Sequence, residues 1–256
     1  MILELDDVTV TFTAGPPLRR IHLDAMKHVS LSVAEGETLG LVGESGSGKT
    51  TTSRVALGLH RPTSGAVRFD GRPFPRRRRE LAGRMQAVLQ HPHWSLNPRM
   101  RVGQSVAEPL TVLGRPAGDN RGSGAPELMG TVTEMLEHVG LEASFAGRYP
   151  HELSGGQRQR VSIARALVTR PGFIVFDEAV SALDVSVQVQ ILNLIKDLQA
   201  EYGFSALFIS HDLGAVRYVA DRIAVMRAGE IVETADTATF YAAPAHEYSK
   251  QLLEAL

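Results

Sequence analysis

Leu39-Gly40-Leu41-Val42-Gly43-Glu44-Ser45-Gly46-Ser47-Gly48-Lys49-Thr50-Thr51 opens as a short apolar run, empties into a glycine-rich loop, and ends on a lysine and two threonines. The apolar run reads as a strand covered on both faces, and Thr50 to Leu59 reads as a helix. Strand, loop and helix in that order are the setting in which Gly-x-x-x-x-Gly-Lys-Thr binds phosphate. The glycines let successive backbone N–H groups turn inward around phosphate oxygens. Lys49 then reaches the β- and γ-phosphates of a nucleotide, and the Thr50 hydroxyl is placed to ligate Mg²⁺.

The surrounding chain supports an α/β fold. Upstream, Val8, Val10 and Phe12, then Val29, Leu31 and Val33, and downstream Val67 and Phe69, alternate with polar residues, as in a half-solvated antiparallel sheet. Phe173 to Phe176 and Ala206 to Ile209 are apolar on both faces, as in a covered parallel sheet. Between them Ile191, Leu194, Ile195, Leu198 and Tyr202 recur at helical spacing and stop at Gly203, a glycine C-cap. From about 90 to 170 the pattern turns helical, with stretches near Val102 to Leu113 and Glu127 to Val139 separated by a glycine-rich surface loop, Gly114 to Gly124. A hairpin about Ala228-Gly229 and a short helix ending at Leu256 close the chain. The expected organisation is one domain over 1–256: a core of about 1–89 and 171–256, and an inserted helical subdomain of about 90–170.

Composition removes several function classes. The 256 residues, 43% hydrophobic, suffice for a sizeable core. Twenty-seven Lys and Arg against 28 Asp and Glu give no field that would make nucleic acid a partner. The absence of cysteine removes disulfides, thiolate zinc, cysteine-ligated iron–sulfur clusters and a thiol nucleophile. The N-terminus lacks the basic start and apolar run of a signal peptide, and no uncharged apolar stretch is long enough to span a bilayer, so the chain is expected to be soluble by itself.

Further residues join the phosphate loop. Asp177 closes an apolar strand, where a carboxylate can hold Mg²⁺ through water, and Glu178 follows where it could polarise an attacking water. Ser154 and Gln157, in Leu153-Ser154-Gly155-Gly156-Gln157, form a capping box that starts a helix. Capping needs neither Gly155 nor Gly156, and both cost helix stability, so the pair is read as baring the helix N-terminus for a phosphate. Gln90 and His211, each unremarkable alone, take weight from the order of the set.

That set, with Ser154-Gly155-Gly156-Gln157 at its centre, resembles an ABC-type ATPase over essentially the whole chain. The resemblance implies a P-loop NTPase core with a mixed, mainly parallel sheet flanked by helices, an N-terminal antiparallel β-subdomain and an inserted α-helical subdomain. It also implies a head-to-tail dimer in which Ser154 of one copy closes on the ATP of the other. Carried over by position, Gly43, Glu44, Ser45, Gly46, Ser47, Gly48, Lys49, Thr50 and Thr51 hold the phosphates. Asp177, Thr50 and Gln90 stand at Mg²⁺, Glu178 is the catalytic base, His211 contacts the γ-phosphate, and Ser181-Ala182-Leu183-Asp184 is the D-loop linking the two sites. Phe12 is read either as the aromatic that stacks on adenine or as core.

Glu37 to Gly46, Ser95 to Met100 and Tyr149-Pro150-His151-Glu152 are similar to the peptide and nickel importer branch. That branch implies two membrane-spanning permease subunits, an extracytoplasmic solute-binding protein, a homodimer or a heterodimer with a related ATPase, and a place on the cytoplasmic face of the membrane. A permease helix is expected to dock near Gln90 and Trp94 to Met100, Trp94 being either a docking anchor or packing. Ala179, where the family usually has proline, and the chain end soon after Tyr248 are closer to nickel-type members. A competing reading is a soluble accessory ATPase of a phosphonate-metabolism complex, against which Leu96-Asn97-Pro98-Arg99 argues. A third reading, a module that binds ATP without splitting it, would be expected to lack Glu178 or His211. Arg76-Arg77-Arg78-Arg79, with Arg72 and Arg84 nearby, reads as a charge run on a solvated hairpin, with anionic lipid as the alternative.

Overall fold

A computed structural model describes residues 1–14, 21–90, 96–114 and 125–254. The chain divides into two compact units, Met1–Arg78 with Ser205–Leu256, and Arg79–Phe204.

In the first unit, β1 (Leu3–Ala14), β2 (Ile21–Val33), β4 (Ser64–Phe69) and β5 (Arg72–Pro73) form an antiparallel sheet in the order β2-β1-β4-β5. Its alternation is not continuous. Leu3 and Leu5 are buried, and so are Val8 and Val10, so the inward face changes from odd to even positions between Leu5 and Val8. An irregularity lies there in the pairing, with Asp7 at φ +51, and β2 answers with His28 at φ +49 between buried Met26 and Val29. One extra residue in each strand turns its following side chains over together. The two irregular residues meet, His28 Nδ1 lying 2.8 Å from Asp7 Oδ1.

The second sheet of this unit holds β3 (Thr38–Val42) between β8 (Ser205–Ile209) and β9 (Arg222–Arg227), parallel to both in the registers Gly40↔Phe208 and Leu41↔Ala224. Every residue of β3 and β8 is buried, which explains their unbroken apolar runs. β10 (Glu230–Asp236) returns antiparallel to β9 through Ala228 and Gly229, both at positive φ, as a type I′ turn requires.

Helices α1 (Lys49–Ala56), α6 (Leu213–Val219), α7 (Thr237–Ala242) and α8 (Glu247–Glu254) complete the unit. The helix after the phosphate loop stops at Ala56, short of the expected Leu59. Gly58 turns to φ +62, and the N–H groups of Leu59 and His60 both fold back to the Arg54 carbonyl at 2.7 and 3.1 Å.

In the second unit β6 (Met85–Leu89) runs parallel to β7 (Phe173–Asp177), with Leu89 level with Asp177. Helices α2 (Val102–Val112), α3 (Ala125–His138), α4 (Gly155–Leu167) and α5 (Val185–Tyr202) supply its other elements. Their inward faces are apolar: Val106 and Leu110, Leu136, Val161 and Leu167, Ile191 and Ile195 are all buried. Gly203, at φ +69, caps α5 with its N–H on the Gln199 carbonyl at 2.8 Å.

The arginine run corrects the sequence reading. It does not ride on a hairpin, because β5 ends at Pro73, and Arg76 to Arg79 lie beyond it, exposed, entering a 3₁₀ turn at Arg78–Leu81. Pro73 and Pro75 remove the donors that would extend the pairing. Most of the glycine-rich spacer, Trp94, Ser95 and the final Leu256 lie outside the described residues.

On α7, the Tyr241 hydroxyl donates to the Leu213 carbonyl. Burial pushes its phenol up from 10.0 to about 12, with the Asp212 charge adding and Arg217 opposing. A raised folded value favours the protonated phenol, so this contribution is complete below about pH 10 and is lost as pH rises towards 12. Tyr202 and Tyr248 shift the same way. Tyr241→Phe is expected to flatten part of the alkaline fall in the urea midpoint; a curve as steep as the parent's would contradict this source.

Candidate nucleotide loop and signature helix

β3 delivers the chain at Gly43, whose φ of +150 begins a loop that turns again at Gly46 (φ +81) and Gly48 (φ +114), the N-cap of α1. Lys49 is only 7% exposed, and its ammonium donates to the carbonyls of Gly43 and Glu44, both at 2.7 Å. A buried amine inside a ring of backbone groups holds the loop open around a fixed positive charge. Glu44, Ser45, Gly46 and Thr50 are exposed, Ser47 is buried, and Thr51 is half-buried. No acidic residue stands in the first turn of α1, so nothing there opposes an anion. These residues fit a polyphosphate with its Mg²⁺: a buried cation, a loop turned by glycines at positive φ, an open helix end and an exposed hydroxyl.

Two partners of the loop were not foreseen. The Tyr248 hydroxyl, in the C-terminal helix, accepts from the Glu44 N–H at 3.0 Å. At the β9–β10 turn, the Gly229 N–H donates to the Ser47 carbonyl at 2.9 Å while the Gly229 carbonyl accepts from the Lys27 N–H at 2.8 Å. Tyr248 lies 204 positions from Glu44, and no local pattern announces such a pairing.

His211 is exposed just beyond β8, between two residues fixed by hydrogen bonds. Ser210 Oγ accepts from the Asp212 N–H, and Asp212 Oδ1 caps α6 through the Ala215 N–H, both at 3.0 Å. Phe12 is not core: it is 37% exposed, with its ring 5.1 Å from that of His60.

In the second unit β7 carries Asp177 and Glu178 to its end, both half-buried. Glu178 sits at φ +50, a conformation that costs a branched or charged residue about 1–3 kcal/mol and that clusters at functional sites. Its carbonyl accepts from the Ser181 N–H at 3.2 Å and the Ser181 hydroxyl at 3.0 Å. Gln90, just past β6, donates from Nε2 to that same hydroxyl at 3.2 Å. Ser181 therefore joins Gln90 to the backbone of Glu178, a link the sequence did not assign. Ala179 is 2% exposed.

The signature helix starts as its pattern predicts. Ser154 and Gln157 cap each other, the Ser154 N–H reaching Gln157 Oε1 at 2.9 Å and the Gln157 N–H reaching Ser154 Oγ at 3.3 Å. Ser154 is exposed, and the first turn has no acidic residue. Gly155 and Gly156 are half-buried, and a side chain at Gly156 would meet Val187 Cγ1 of α5 at 2.6 Å. Asp184, the exposed N-cap of α5, makes no side-chain capping bond, and Val185 beside it is 76% exposed.

Asn97 holds its own turn, its side chain accepting from the Arg99 N–H and its carbonyl from the Met100 N–H, both at 3.0 Å.

Residues 26–181 match the family model described as ABC transporter. A Brucella abortus (strain 2308) protein, provisionally named a peptide import ATP-binding protein, is 50% identical over the whole of this chain and 76% of its own length. The oligopeptide transport ATP-binding protein OppF of Bacillus subtilis (strain 168) is 47% identical over 91% of this chain and 76% of its own. Among solved structures, the dimeric ATP-binding cassette MJ0796 in a post-hydrolysis state with ADP and Pi superposes with a TM-score of 0.77 at 31% identity, covering 92% of this chain and 98% of that one. The cbiO1 subunit of the cbiONQ transporter complex of Clostridium perfringens gives 0.79 at 25% identity, covering 94% and 91%. With the phosphate loop, the Asp177-Glu178 strand end and the capped Ser-Gly-Gly helix all in place, the chain belongs to the ABC transporter family.

Proposed function

We propose that this chain is the ATP-hydrolysing subunit of an importer that takes up peptides across the cytoplasmic membrane. The observation that carries the reading is the presence, in one chain, of two helix ends open to anions. α1 begins at the glycine-rich loop and α4 begins with Gly155 and Gly156 in its own first turn, and neither first turn holds an acidic residue. The phosphate loop needs only the first; the second suits a nucleotide held by another copy. In the proposal Lys49, Thr50, Thr51 and the loop from Gly43 to Gly48 bind one face of ATP, and Ser154, Gly155, Gly156 and Gln157 of the opposite copy close on the other, with Asp184 between the two sites.

Mg²⁺, when bound, would neutralise the developing phosphate charge, with Thr50, Gln90 and Asp177 as the residues to hold it. Glu178 takes a proton from the attacking water, Gln90 orients that water, and His211 contacts the γ-phosphate side. Phe12, exposed on β1, is the adenine-stacking candidate. Residues 90–170 act as the helical subdomain that carries motion from the nucleotide to the membrane partners.

The named relatives support peptides as the cargo class, so the nickel lean from Ala179 and the chain end is not carried further. They also favour transport over an accessory role in a non-transport complex. Two membrane-spanning permease subunits, an extracytoplasmic solute-binding protein, and a homodimer or a heterodimer with a related ATPase complete the proposed assembly. Among the described residues no helix is long and apolar enough to cross a membrane, consistent with a peripheral place on the cytoplasmic face. Co-expression with the permease and binding-protein genes of its own locus should yield a detergent-stable complex whose phosphate release rises when peptide-loaded binding protein is added. Failure to associate with any membrane subunit, at an undiminished ATPase rate, would sink the importer reading.

A further inference from the structure

A cavity of about 640 Å³ opens in the first unit between the end of α1 and the β4–β5 hairpin. That size lies within the range of about 300–1,000 Å³ of small-molecule sites. Val55, Val67 and Phe74 give it an apolar wall, and Arg61, Arg76 and Arg78 line it with guanidinium groups, while no carboxylate takes part in the lining. Pro62, Pro73 and Pro75 also line it and fix its backbone in advance. Arg61 is held in place by its Nη2, which donates to the Arg76 carbonyl at 3.2 Å, and a guanidinium has further donors to offer. None of the three arginines pairs with a carboxylate among the described residues.

A second cavity of about 530 Å³ sets the contrast. Its arginines are already matched, Arg68 with Glu4 at 3.6 Å and Arg222 with Glu37 at 3.0 Å. Charge of one sign, left uncompensated over an apolar wall, marks the first cavity as a place for an anion that also carries an apolar body.

We propose that this cavity binds a small soluble organic anion, an apolar group bearing one phosphate, sulfonate or carboxylate, with the anion at Arg61, Arg76 and Arg78 and the apolar body on Phe74. The concave shape favours a small molecule over a flat membrane or a nucleic acid strand. The proposal is independent of the transport reading. His60, which also lines the cavity, packs on Phe12 with the ring centroids 5.1 Å apart.

The test uses the full chain with ADP saturating the phosphate loop. Anilinonaphthalene sulfonate is the fluorescent probe, and octyl phosphate, octyl glucoside and inorganic phosphate compete with it. Octyl phosphate should displace the probe, while the neutral and the apolar-free competitors should not. Arg61→Gln and Arg78→Gln should each weaken binding about tenfold, the scale of one charge-assisted hydrogen bond. Arg77→Gln, exposed and outside the lining, should leave binding unchanged. Should a glutamine variant misfold, Arg61→Lys and Arg78→Lys keep the charge, and each should still weaken octyl phosphate by removing the planar fork. Equal displacement by octyl glucoside, parent-like affinity in the arginine variants, or binding seen only with phosphatidylglycerol vesicles would overturn the proposal.

Discussion

Glu178→Gln is expected to bind ATP like the parent while steady-state phosphate release falls by about 10²–10⁴-fold, the range of a lost general base. The exchange keeps size and shape, so the left-handed backbone at φ +50 and the two bonds from Ser181 to the Glu178 carbonyl should persist. Only the side-chain charge disappears. The backbone anchor matters here, because those bonds fix the residue whatever its side chain carries. A variant that binds ATP, keeps the parent's unfolding midpoint and still releases phosphate at the parent's rate would remove Glu178 from the role of base.

Gly43→Ala should be the most damaging small substitution in the phosphate loop. A Cβ there would lie 2.1 Å from the Met226 carbonyl oxygen, at a φ of +150 that side chains rarely adopt. Met226 cannot give way, since β9 is paired to β3 with Val42 level with Val225. Backbone strain of about 1–3 kcal/mol and overpacking of similar size then add, for a loss of roughly 2–6 kcal/mol together with nucleotide affinity. Gly46→Ala separates the two causes. Its φ is +81, but nothing lies within 4 Å of the new Cβ, so it should lose about 1 kcal/mol through conformation alone. Urea midpoints and ATP titrations of the two variants check the order; equal losses would mean that crowding against Met226 adds little to the backbone strain.

The parts of this chain that the sequence made legible are those whose chemistry is local. The strand–loop–helix order at the phosphate loop, the Ser154–Gln157 box and the Gly203 cap each rest on residues within a few positions, and each is present, although the loop's helix ends at Ala56. β3 and β8 were legible for another reason: complete burial leaves an unbroken apolar run, whatever the partner strand. Joints between distant segments were not legible. Ser181 meets Gln90 across 91 positions, and a serine in a loop carries no mark of the amide it will meet. The Asp7 and His28 irregularities hid likewise, because alternation survives on either side of an inserted residue and only its phase changes. Phe12 was left open between core and a stacking surface for a related reason, since alternation gives a side and not what covers that side; its 37% exposure removes the core reading.

Gly229 offers its N–H to the Ser47 carbonyl and its own carbonyl to the Lys27 N–H, and so rivets β2 to the phosphate loop by main-chain atoms alone. A load on the antiparallel sheet would arrive at the loop through the backbone of one residue, with no flexible side chain to absorb it. Because no side chain takes part, exchanging the side chains of Ser47 or Lys27 should leave both bonds in place. Proline, by deleting the donor at 229 or at 27, would cut it and let sheet and loop respond to force separately, and any side chain at 229 would strain it at φ +89.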